Sequence, residues 1–297
     1  MRILLAGASG YLGTTLRHRL EQDDHQVTGL TRHEPGPDEV RWDPARAPLG
    51  TEVVENADVV VNLCGSSLLG VPHVAGYRER LFESRVRTTR TLADAIAASD
   101  RKPAFLAGNG ISWYGDHGDE LLTEDSDSRG NALLTRVTRD WQAATGPATA
   151  AGARVCILRT SPVFGSGSMV ATMLGRVFGL GVGGRIGNGR QWFPLISSHD
   201  WMEAVIRLVD DETLSGPVNL VAPELPTNAE FTRELGRVLH RPAVVPVPAV
   251  AVRLAAGPMA PELLNSVRAR PQVLLDAGFD FRHRDVGDVL AFTYGPA

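Results

Sequence analysis

Short apolar runs alternate with longer amphipathic stretches along the first half of the chain. The runs are bounded by glycine, proline or polar residues, as buried strands usually are. They predict strands at 3–7, 26–30, 58–65, 104–108 and 154–160, and a weaker one at 40–42. The stretches between them predict helices over 11–22, 77–99 and 131–152. This alternation is typical of a parallel sheet with crossover helices, and it places the chain in the α/β class.

The pattern loosens after Arg159. Residues 161–194 contain nine of the 31 glycines, and they predict loops with one helix near 168–179. A further strand is predicted at 217–223.

Two polar residues are predicted to begin helices in this second half. Asp200 would cap a helix by accepting backbone N–H groups. Thr227 is followed three residues later by Glu230, which is the spacing of a capping box before another helix.

The composition narrows the class of protein. Of 297 residues, 43% are hydrophobic and 22% are charged, close to the average for folded globular proteins. The 34 acidic and 30 basic residues give a net charge of −4, which argues against a nucleic-acid partner. No apolar run reaches the ~18 residues of a membrane span, and glycines interrupt the first run, so we expect neither a membrane partner nor a signal peptide. Cys64 and Cys156 make no disulfide framework, which favours the cytoplasm.

Three glycines follow the first predicted strand. Gly7, Gly10 and Gly13 stand between that strand and a helix, in the order G-x-x-G-x-x-G. The first allows a tight turn, the second lets the backbone approach a pyrophosphate, and the third lets the helix pack on the sheet. Because a helix N-terminus also offers N–H groups and a positive dipole end, the pattern predicts a dinucleotide site. The other residues of this turn that we expect at the cofactor are Ser9, Tyr11 and Leu12.

A charged residue follows the second predicted strand. Arg32 stands where NAD-binding proteins place a carboxylate for the ribose 2′-hydroxyl. A planar guanidinium suits a 2′-phosphate instead, so Arg32 favours NADP. Two alternatives stay open: Glu34 would favour NAD, and Arg32 could be only a solvated charge at the strand end.

One catalytic pair is missing. Short-chain dehydrogenases usually carry Tyr-x-x-x-Lys, in which the lysine lowers the tyrosine pKa. The single lysine of the sequence, Lys102, does not follow Tyr11, Tyr77, Tyr114 or Tyr294 at that spacing. Cofactor binding is therefore predicted without the usual proton donor.

An ordered series of segments runs nearly from end to end of the chain. The segments are GASGYLG (7–13), LTR (30–32), VNLCG (61–65), ESRVRTTRTL (83–92), WYGDHGDELLTEDS (113–126), RDWQAA (139–144), LRTSPVFG (158–165), GNGRQWFP (187–194), GPVNLVAP (216–223), TNAEFTRELGRVLHRP (227–242) and VLLDAGFDFRH (273–283). This series resembles the atypical extended short-chain dehydrogenases, an NAD(P)-dependent epimerase-like family of unknown substrate with a small C-terminal domain.

The resemblance implies a doubly wound Rossmann sheet with helices on both faces. It implies an NADP-binding domain over 1–165, which also receives about 195–222, and a substrate-binding part from 166–194 and 223–297. Beyond the glycine turn and Arg32, the cofactor residues that it implies are Asn62, Leu63, Cys64, Gly65, Arg159 and Val163. The residues that it implies at the substrate are Gln191 and Trp192.

Several positions depart from the family pattern. Where the family has a serine before its Tyr-Gly, this chain has Asn109 and Gly110. The tyrosine and lysine of the missing dyad would fall near Leu134 and Thr138. His199 is displaced by two positions from the family's histidine.

Four side chains are candidates for the chemistry. Tyr114 and His199 have titratable groups, while Asn109 and Ser112 offer donors for a substrate carbonyl. Each of them could instead have only a structural role. Tyr114 could be an aromatic side chain bonded within a turn, and His199 an ordinary histidine before a helix. Asn109 and Ser112 could simply hydrogen-bond to the loop backbone. No group of side chains has the spacing of metal ligands, so we expect no metal.

Together these observations predict an NADP-dependent reductase or epimerase that acts on a small metabolite, as a monomer or homodimer. Trp113 and Trp192 could form an aromatic wall for an apolar or planar substrate, although tryptophans are often only core residues. Two other functions stay open. One is a non-redox enzyme on the same fold, such as a cyclase, dehydratase or isomerase, and the other is a non-catalytic dinucleotide sensor.

Overall fold

The main sheet has seven parallel strands. The computed structural model describes residues 1–68, 75–243 and 245–295. Its strands are β1 (Arg2–Ala6), β2 (Gln26–Thr31), β3 (Glu39–Arg41), β4 (Val59–Asn62), β5 (Ala104–Gly110), β6 (Leu121–Leu122), β7 (Val155–Thr160), β8 (Val163–Phe164), β9 (Ile196–Ser197), β10 (Gly216–Leu220) and β11 (Arg268–Ala269). The seven-stranded sheet has the order β10-β7-β5-β4-β1-β2-β3, and two pairs, β6 with β11 and β8 with β9, stand apart from it. The α/β prediction is confirmed, and each of the seven strands coincides with a predicted one.

The helices also follow the predicted pattern. They are α1 (Tyr11–Gln22), α2 (Thr51–Glu55), α3 (Tyr77–Ala98), α4 (Leu133–Ala143), α5 (Gly146–Ala150), α6 (Met169–Gly179), α7 (Ser198–Asp210), α8 (Asn228–Val238), α9 (Ala249–Ala256), α10 (Pro261–Leu264), α11 (Gln272–Asp276) and α12 (Val286–Tyr294). The single helix predicted over 131–152 is two helices, α4 and α5. Pro147 lies in the first turn of α5, where its missing N–H costs nothing, whereas inside one long helix it would break a hydrogen bond. In the described part of the chain, no helix combines the length and the apolar character that a bilayer crossing needs.

Both faces of the main sheet are buried. Successive side chains of a strand point to opposite faces. On one face Leu4, Val60 and Phe105 belong to a common core cluster. On the other face Ile3 and Val61 are equally buried. Burial on both sides is what a parallel sheet with crossover helices requires, and it explains why its strands are continuous apolar runs.

The chain divides into two compact units. The first comprises Met1–Asn109, Val137–Leu158 and Val205–Pro217, and the second comprises Gly110–Arg136, Arg159–Ala204 and Val218–Ala297. The domain boundaries predicted from the sequence stay a prediction; they assign residues 110–136, 159–165, about 195–204 and 218–222 to the cofactor domain, whereas this division places them in the second unit. In the second unit, side chains of residues 110–136 share a hydrophobic cluster with residues from the last third of the chain. The buried members are Ile111, Tyr114, Leu122, Val221, Val267 and Ala269.

One of the two predicted helix caps is confirmed, and the other is wrong. Thr227 accepts a hydrogen bond from the backbone N–H of Glu230, and the Glu230 carboxylate accepts one from Thr227 in return. The other helix, α7, begins at Ser198, two residues before Asp200. The Asp200 carboxylate accepts hydrogen bonds from the backbone N–H groups of Arg282 and His283, each at 2.9 Å. It therefore anchors a distant segment of the second unit and does not cap its own helix.

Candidate functional site

The glycine turn after β1 is a place where backbone packs directly on backbone. Gly7 has a φ of +87°, a left-handed conformation that favours glycine. A Cβ atom on Gly7 would lie 2.8 Å from the carbonyl carbon of Leu63, and one on Gly13 would lie 2.1 Å from the oxygen of Gly7. Gly10 donates its N–H to the same Gly7 oxygen at 3.1 Å. A side chain is thus excluded at Gly7 and Gly13, the first and last glycines of the predicted phosphate turn, residues 7–13.

The N-terminus of α1 faces this turn without a side-chain cap. Its N-cap residue is Gly10, which has no side chain to offer. Ser9 and Tyr11 are exposed beside it, and Leu12 is partly exposed. Backbone N–H groups at an uncapped helix start, together with the helix dipole, suit a phosphate group. The residues of the turn therefore fit the pyrophosphate of a dinucleotide.

Arg32 lies at the carboxyl end of β2, exposed to solvent. It lines a cavity of about 450 Å³ together with Arg41, Trp42 and Asp43. Its positive charge also acts on Cys64, just beyond the end of β4. Burial raises the pKa of the Cys64 thiol to about 11, and the guanidinium of Arg32 opposes that rise. A thiol with so high a pKa stays protonated at neutral pH and is a poor nucleophile.

The segment after β4 is held by buried polar contacts. Asn62, which is fully buried, donates its side-chain amide to the hydroxyl of Thr89 at 2.8 Å and accepts the backbone N–H of Cys64 at 3.1 Å. Leu63 donates its N–H to the oxygen of Ala6, the last residue of β1. The Asn62 side chain is therefore committed to the protein interior. What this segment can present to a cofactor is its backbone, close to the phosphate turn.

Sequence reasoning missed the buried cation beneath this segment. The guanidinium of Arg85, on α3, lies 5.3 Å from the ring centroid of Trp141 and donates to the backbone oxygen of Ser66 at 3.0 Å. Burial lowers the pKa of Arg85 to about 10. A Cβ atom on Gly65 would lie 3.1 Å from the central carbon of this guanidinium, which explains the glycine there. The spacing of Arg85 among charged residues of an amphipathic helix gave no sign of its burial.

The second unit places Tyr114 and Arg159 in its core. The Tyr114 hydroxyl is within hydrogen-bond distance of the Thr123 oxygen at 2.9 Å and the Asn219 side-chain oxygen at 2.8 Å, and it accepts from Arg159 at 2.9 Å. Both Tyr114 and Arg159 are fully buried. Burial is the main cause that raises the pKa of Tyr114 and lowers that of Arg159. This placement favours the structural interpretation of Tyr114 over proton exchange with a substrate.

Arg159 packs on an aromatic side chain rather than extending to solvent. Its guanidinium lies 3.6 Å from the ring centroid of Trp113, a close cation–π contact. Val163, which the resemblance also places at the cofactor, is partly exposed in β8 and pairs with Ile196 of β9. The structure thus uses the Arg159 side chain to fix Trp113 and Tyr114.

Two other candidates for the chemistry have their own structural contacts. Asn109, near the end of β5, is buried and donates its side-chain amide to the Thr138 oxygen at 3.1 Å. His199 is partly exposed in the first turn of α7, with its ring 5.7 Å from that of His283. His283 approaches the Ser197 hydroxyl at 2.9 Å.

The structure brings three of the predicted site residues together on the segment 262–266. Ser112 donates its hydroxyl to the carboxylate of Glu262. The Gln191 side-chain amide donates to the Leu263 oxygen at 3.3 Å. The backbone N–H of Trp192 donates to the Ser266 hydroxyl and its indole N–H to Asp119, each at 3.1 Å. Trp113 is the chain neighbour of Ser112, and its ring packs under Arg159.

Glu262 is the residue of this cluster that sequence reasoning missed. It is partly exposed on a helix of four residues. Burial raises the pKa of Glu262 to about 7, and the hydrogen bond from Ser112 opposes the rise. A single glutamate after a proline in a stretch without clear periodicity carries no signal of such an environment. In the described ranges 1–68, 75–243 and 245–295, no cluster of histidine, cysteine, aspartate and glutamate has the arrangement of a metal site.

The strand order, the phosphate turn and the buried parallel sheet define a dinucleotide-binding protein of the Rossmann class. The chain belongs to the NAD-dependent epimerase/dehydratase family, whose model matches residues 3–220. A second model, for a domain of unknown function named DUF1731, matches residues 247–293. The resemblance inferred from the sequence is thereby confirmed.

Relatives of known sequence match nearly the whole chain. An epimerase family protein of Mycobacterium leprae is 36% identical over 293 residues, which covers 98% of this chain and 95% of the relative. The human epimerase family protein SDR39U1 is 31% identical over 297 residues and is covered to 98%. Neither name specifies a substrate.

Two solved structures show the same fold. The crystal structure of human SDR39U1 (isoform 2) with NADPH aligns with a TM-score of 0.88 at 29% identity, over 100% of both chains. A nucleoside-diphosphate sugar epimerase from Corynebacterium glutamicum aligns with a TM-score of 0.81 at 31% identity. That alignment covers 99% of this chain and 58% of the other.

Proposed function

We propose that this protein binds NADPH in preference to NADH and uses it as a reductase or epimerase on a small metabolite. The observation that carries the proposal is Arg32, an exposed cation at the end of β2 whose charge reaches the end of β4. A cation at this place suits a ribose 2′-phosphate. The human relative whose structure contains NADPH supports the same cofactor.

The phosphate turn and Arg32 would hold opposite parts of the dinucleotide. Backbone N–H groups at the start of α1 would bind the pyrophosphate, because the N-cap residue Gly10 has no side chain that would occupy them. Arg32 would pair with the 2′-phosphate, and the backbone after Asn62 would form a wall beside it. When bound, NADPH supplies a hydride to a substrate carbon.

A second candidate function is non-redox chemistry on the same fold. The observation that favours it concerns the missing dyad. On α4, Leu134 and Thr138 occupy the positions where the family has the tyrosine and the lysine of the dyad, and both are buried. Tyr114, the other tyrosine considered as a proton donor, is hydrogen-bonded within the core of the second unit. An isomerase or dehydratase would need acid–base groups but no net hydride transfer. The two functions separate on one measurement, because the absorbance of enzyme-bound NADPH at 340 nm changes during turnover, permanently or transiently, only when a hydride is transferred.

Calorimetric titration with NADPH and with NADH tests the cofactor. Arg32→Ala should weaken NADPH binding by ~1.5–3 kcal/mol, since it removes a charge-assisted contact. This corresponds to a roughly 10- to 150-fold higher Kd. NADH, which lacks the phosphate, should bind both proteins equally.

The matched control is Arg87→Ala, which removes the same charge from an exposed ion pair with Glu83 on α3. It should leave both titrations unchanged. Tighter binding of NADH than of NADPH, with loss of NADH affinity in Glu34→Ala, would overturn the preference. Failure to bind either nucleotide would reject the proposed function altogether.

A further inference from the structure

Glu262 is a partly buried carboxyl group with one polar partner. Among the described residues its carboxylate receives the Ser112 hydroxyl and is paired with no arginine, lysine or histidine. The two residues are 150 positions apart, so the contact depends on the tertiary fold. Removing a carboxylate from water without a cation to balance it is unfavourable, and the group responds by keeping its proton.

The environment of Glu262 brings the pKa of its carboxyl group close to neutral pH. Burial raises its pKa to about 7. Charged groups on the stretches that pack around this segment are Asp116, which accepts the backbone N–H of Ser266, Asp119, bonded to the Trp192 indole, and Arg268, whose guanidinium lies 4.4 Å over the Trp192 ring. None of them contributes to the pKa shift of Glu262, which burial alone produces against the Ser112 hydrogen bond. A glutamine could accept the Ser112 hydrogen bond equally well, so hydrogen bonding alone does not require an acid at this position.

Ser112 connects this acid to the end of a strand. It lies in the short turn Ile111–Trp113, directly after β5. In open parallel sheets, ligands bind at the carboxyl ends of the strands. Ser112, Trp113 and Glu262 are all partly exposed, whereas the Tyr114 hydroxyl is enclosed. A ligand can therefore reach the serine and the glutamate but not the tyrosine.

We propose that Ser112 and Glu262 together form the acid–base pair of this protein, with Ser112 touching the reacting oxygen of a carbonyl or secondary-alcohol substrate and Glu262 exchanging the proton through it. The proposal rests on the proposed function and supplies the proton donor that the missing dyad leaves open. In the direction of reduction, bound NADPH would supply the hydride that makes the new C–H bond at the carbonyl carbon and would itself become NADP⁺. The carbonyl oxygen takes the Ser112 proton, Ser112 takes the proton of Glu262, and the carboxylate left behind is reprotonated by water.

The supporting side chains fit this role. Gln191 holds the backbone of Leu263, next to the acid, while Arg159 packs on Trp113, next to the serine. Both ends of the pair are thus fixed by contacts that do not use the reacting atoms. Such support is what keeps a proton relay within hydrogen-bond distance.

The test compares Glu262→Gln and Ser112→Ala with Glu224→Gln, a control at an exposed carboxylate of the same unit. Three properties are measured: NADPH binding by calorimetry, NADPH consumption with 4-nitrobenzaldehyde as the carbonyl probe, and the infrared band of the protonated carboxyl group against pH. Glu262→Gln should lower kcat roughly 10²- to 10⁴-fold, with unchanged NADPH affinity. The wild-type carboxyl band that titrates near pH 7 should be absent from this variant.

Ser112→Ala separates a relay from a merely structural contact. It should lower kcat while retaining the titrating band, and it should move that band to higher pH, because the Ser112 hydrogen bond lowers the pKa of Glu262. The pH dependence of unfolding gives a reading without any substrate. Since the folded-state pKa is raised, the folded protein binds the extra proton, and stability falls as pH rises from the ordinary carboxyl pKa through about 7. Glu262→Gln should abolish that fall.

The outcomes distinguish this inference from the proposed function. If the wild type binds and consumes NADPH but Glu262→Gln has wild-type kcat, or the carboxyl band titrates at its ordinary pH, the acid–base pair is rejected and the proposed function stands. If the wild type does not bind NADPH, the proposed function fails, and the hydride-coupled role of the pair fails with it.

Discussion

The phosphate turn and the Ser112–Glu262 pair represent two ways in which a chain specifies a site. The turn is made by seven consecutive residues, and its essential feature is the absence of side chains at Gly7 and Gly13. The pair is made by two side chains 150 positions apart, and each looks ordinary in its own segment. The first site is specified by local backbone geometry, whereas the second is specified only by the tertiary contacts of the second unit.

The largest expected effect tests how strongly such tertiary contacts hold the second unit. Asp200 is almost fully buried, and its carboxylate accepts two backbone N–H groups and the Ser197 hydroxyl. Asp200→Ala leaves those donors without a partner, so it should lower the free energy of unfolding by about 3 kcal/mol or more. Urea denaturation of both proteins measures the loss.

The control for Asp200→Ala is Asp276→Ala, at an exposed aspartate bonded to the side chain of Gln272. This change should stay within about 0.5 kcal/mol of wild type. Equal effects of the two substitutions would show that the buried carboxylate does not anchor the segment around Arg282 and His283, and that the contrast between local and tertiary specification is overstated.

The next largest effect concerns the phosphate turn. Gly7→Ala places a Cβ atom 2.8 Å from the Leu63 carbonyl carbon in a residue with φ +87°. It should cost about 2–3 kcal/mol of stability and also weaken NADPH binding. Gly152→Ala is the matched control, because φ there is +86° and nothing lies within 4 Å of the added atom. It should cost only about 1–2 kcal/mol for the left-handed backbone, with unchanged NADPH affinity.

Comparing Gly7→Ala with Gly152→Ala separates the cost of a left-handed backbone from the cost of the close contact with Leu63. If Gly7→Ala and Gly152→Ala destabilise the protein equally, the turn depends only on backbone conformation. A larger cost at Gly7 shows that the contact with Leu63 also matters.

The sequence predicted most of what depends on neighbouring residues. The seven strands, the phosphate turn and the capping box at Thr227 all follow from patterns within a few positions. Ser112 was selected for its residue type and its place after a strand. Its partner Glu262 was missed, because a four-residue helix shows no periodicity and burial of a lone glutamate depends on elements far along the chain.

The same reasoning explains the predictions that the structure does not support directly. Tyr114 was selected because a tyrosine after a strand has useful chemistry. Its enclosure depends on Thr123, Asn219 and Arg159, which are separated from it in the sequence. Asn62 was placed at the cofactor by resemblance, yet its side chain bonds inward to Thr89. In each case the residue type was informative and the direction of the side chain was not.

The smallest expected effect is on the capping box of α8, which tests whether neighbouring residues also determine structure within the second unit. Thr227→Ala removes a cap that was predicted from two residues, so it should cost about 1 kcal/mol of stability, while Thr227→Ser should retain the cap. The backbone N–H of Thr227, which alanine keeps, is the main cause that lowers the pKa of Glu230, and the Thr227 hydroxyl, which alanine lacks, lowers it further. A lowered folded-state pKa stabilises the protein above the unfolded-state pKa, and this contribution is lost as pH falls through the folded-state value. The part of the difference between Thr227→Ala and wild type that comes from the bond between the hydroxyl and the carboxylate should therefore disappear in acid. A difference that stays constant with pH would show that this bond contributes nothing, and that the hydroxyl acts only by accepting the backbone N–H of Glu230.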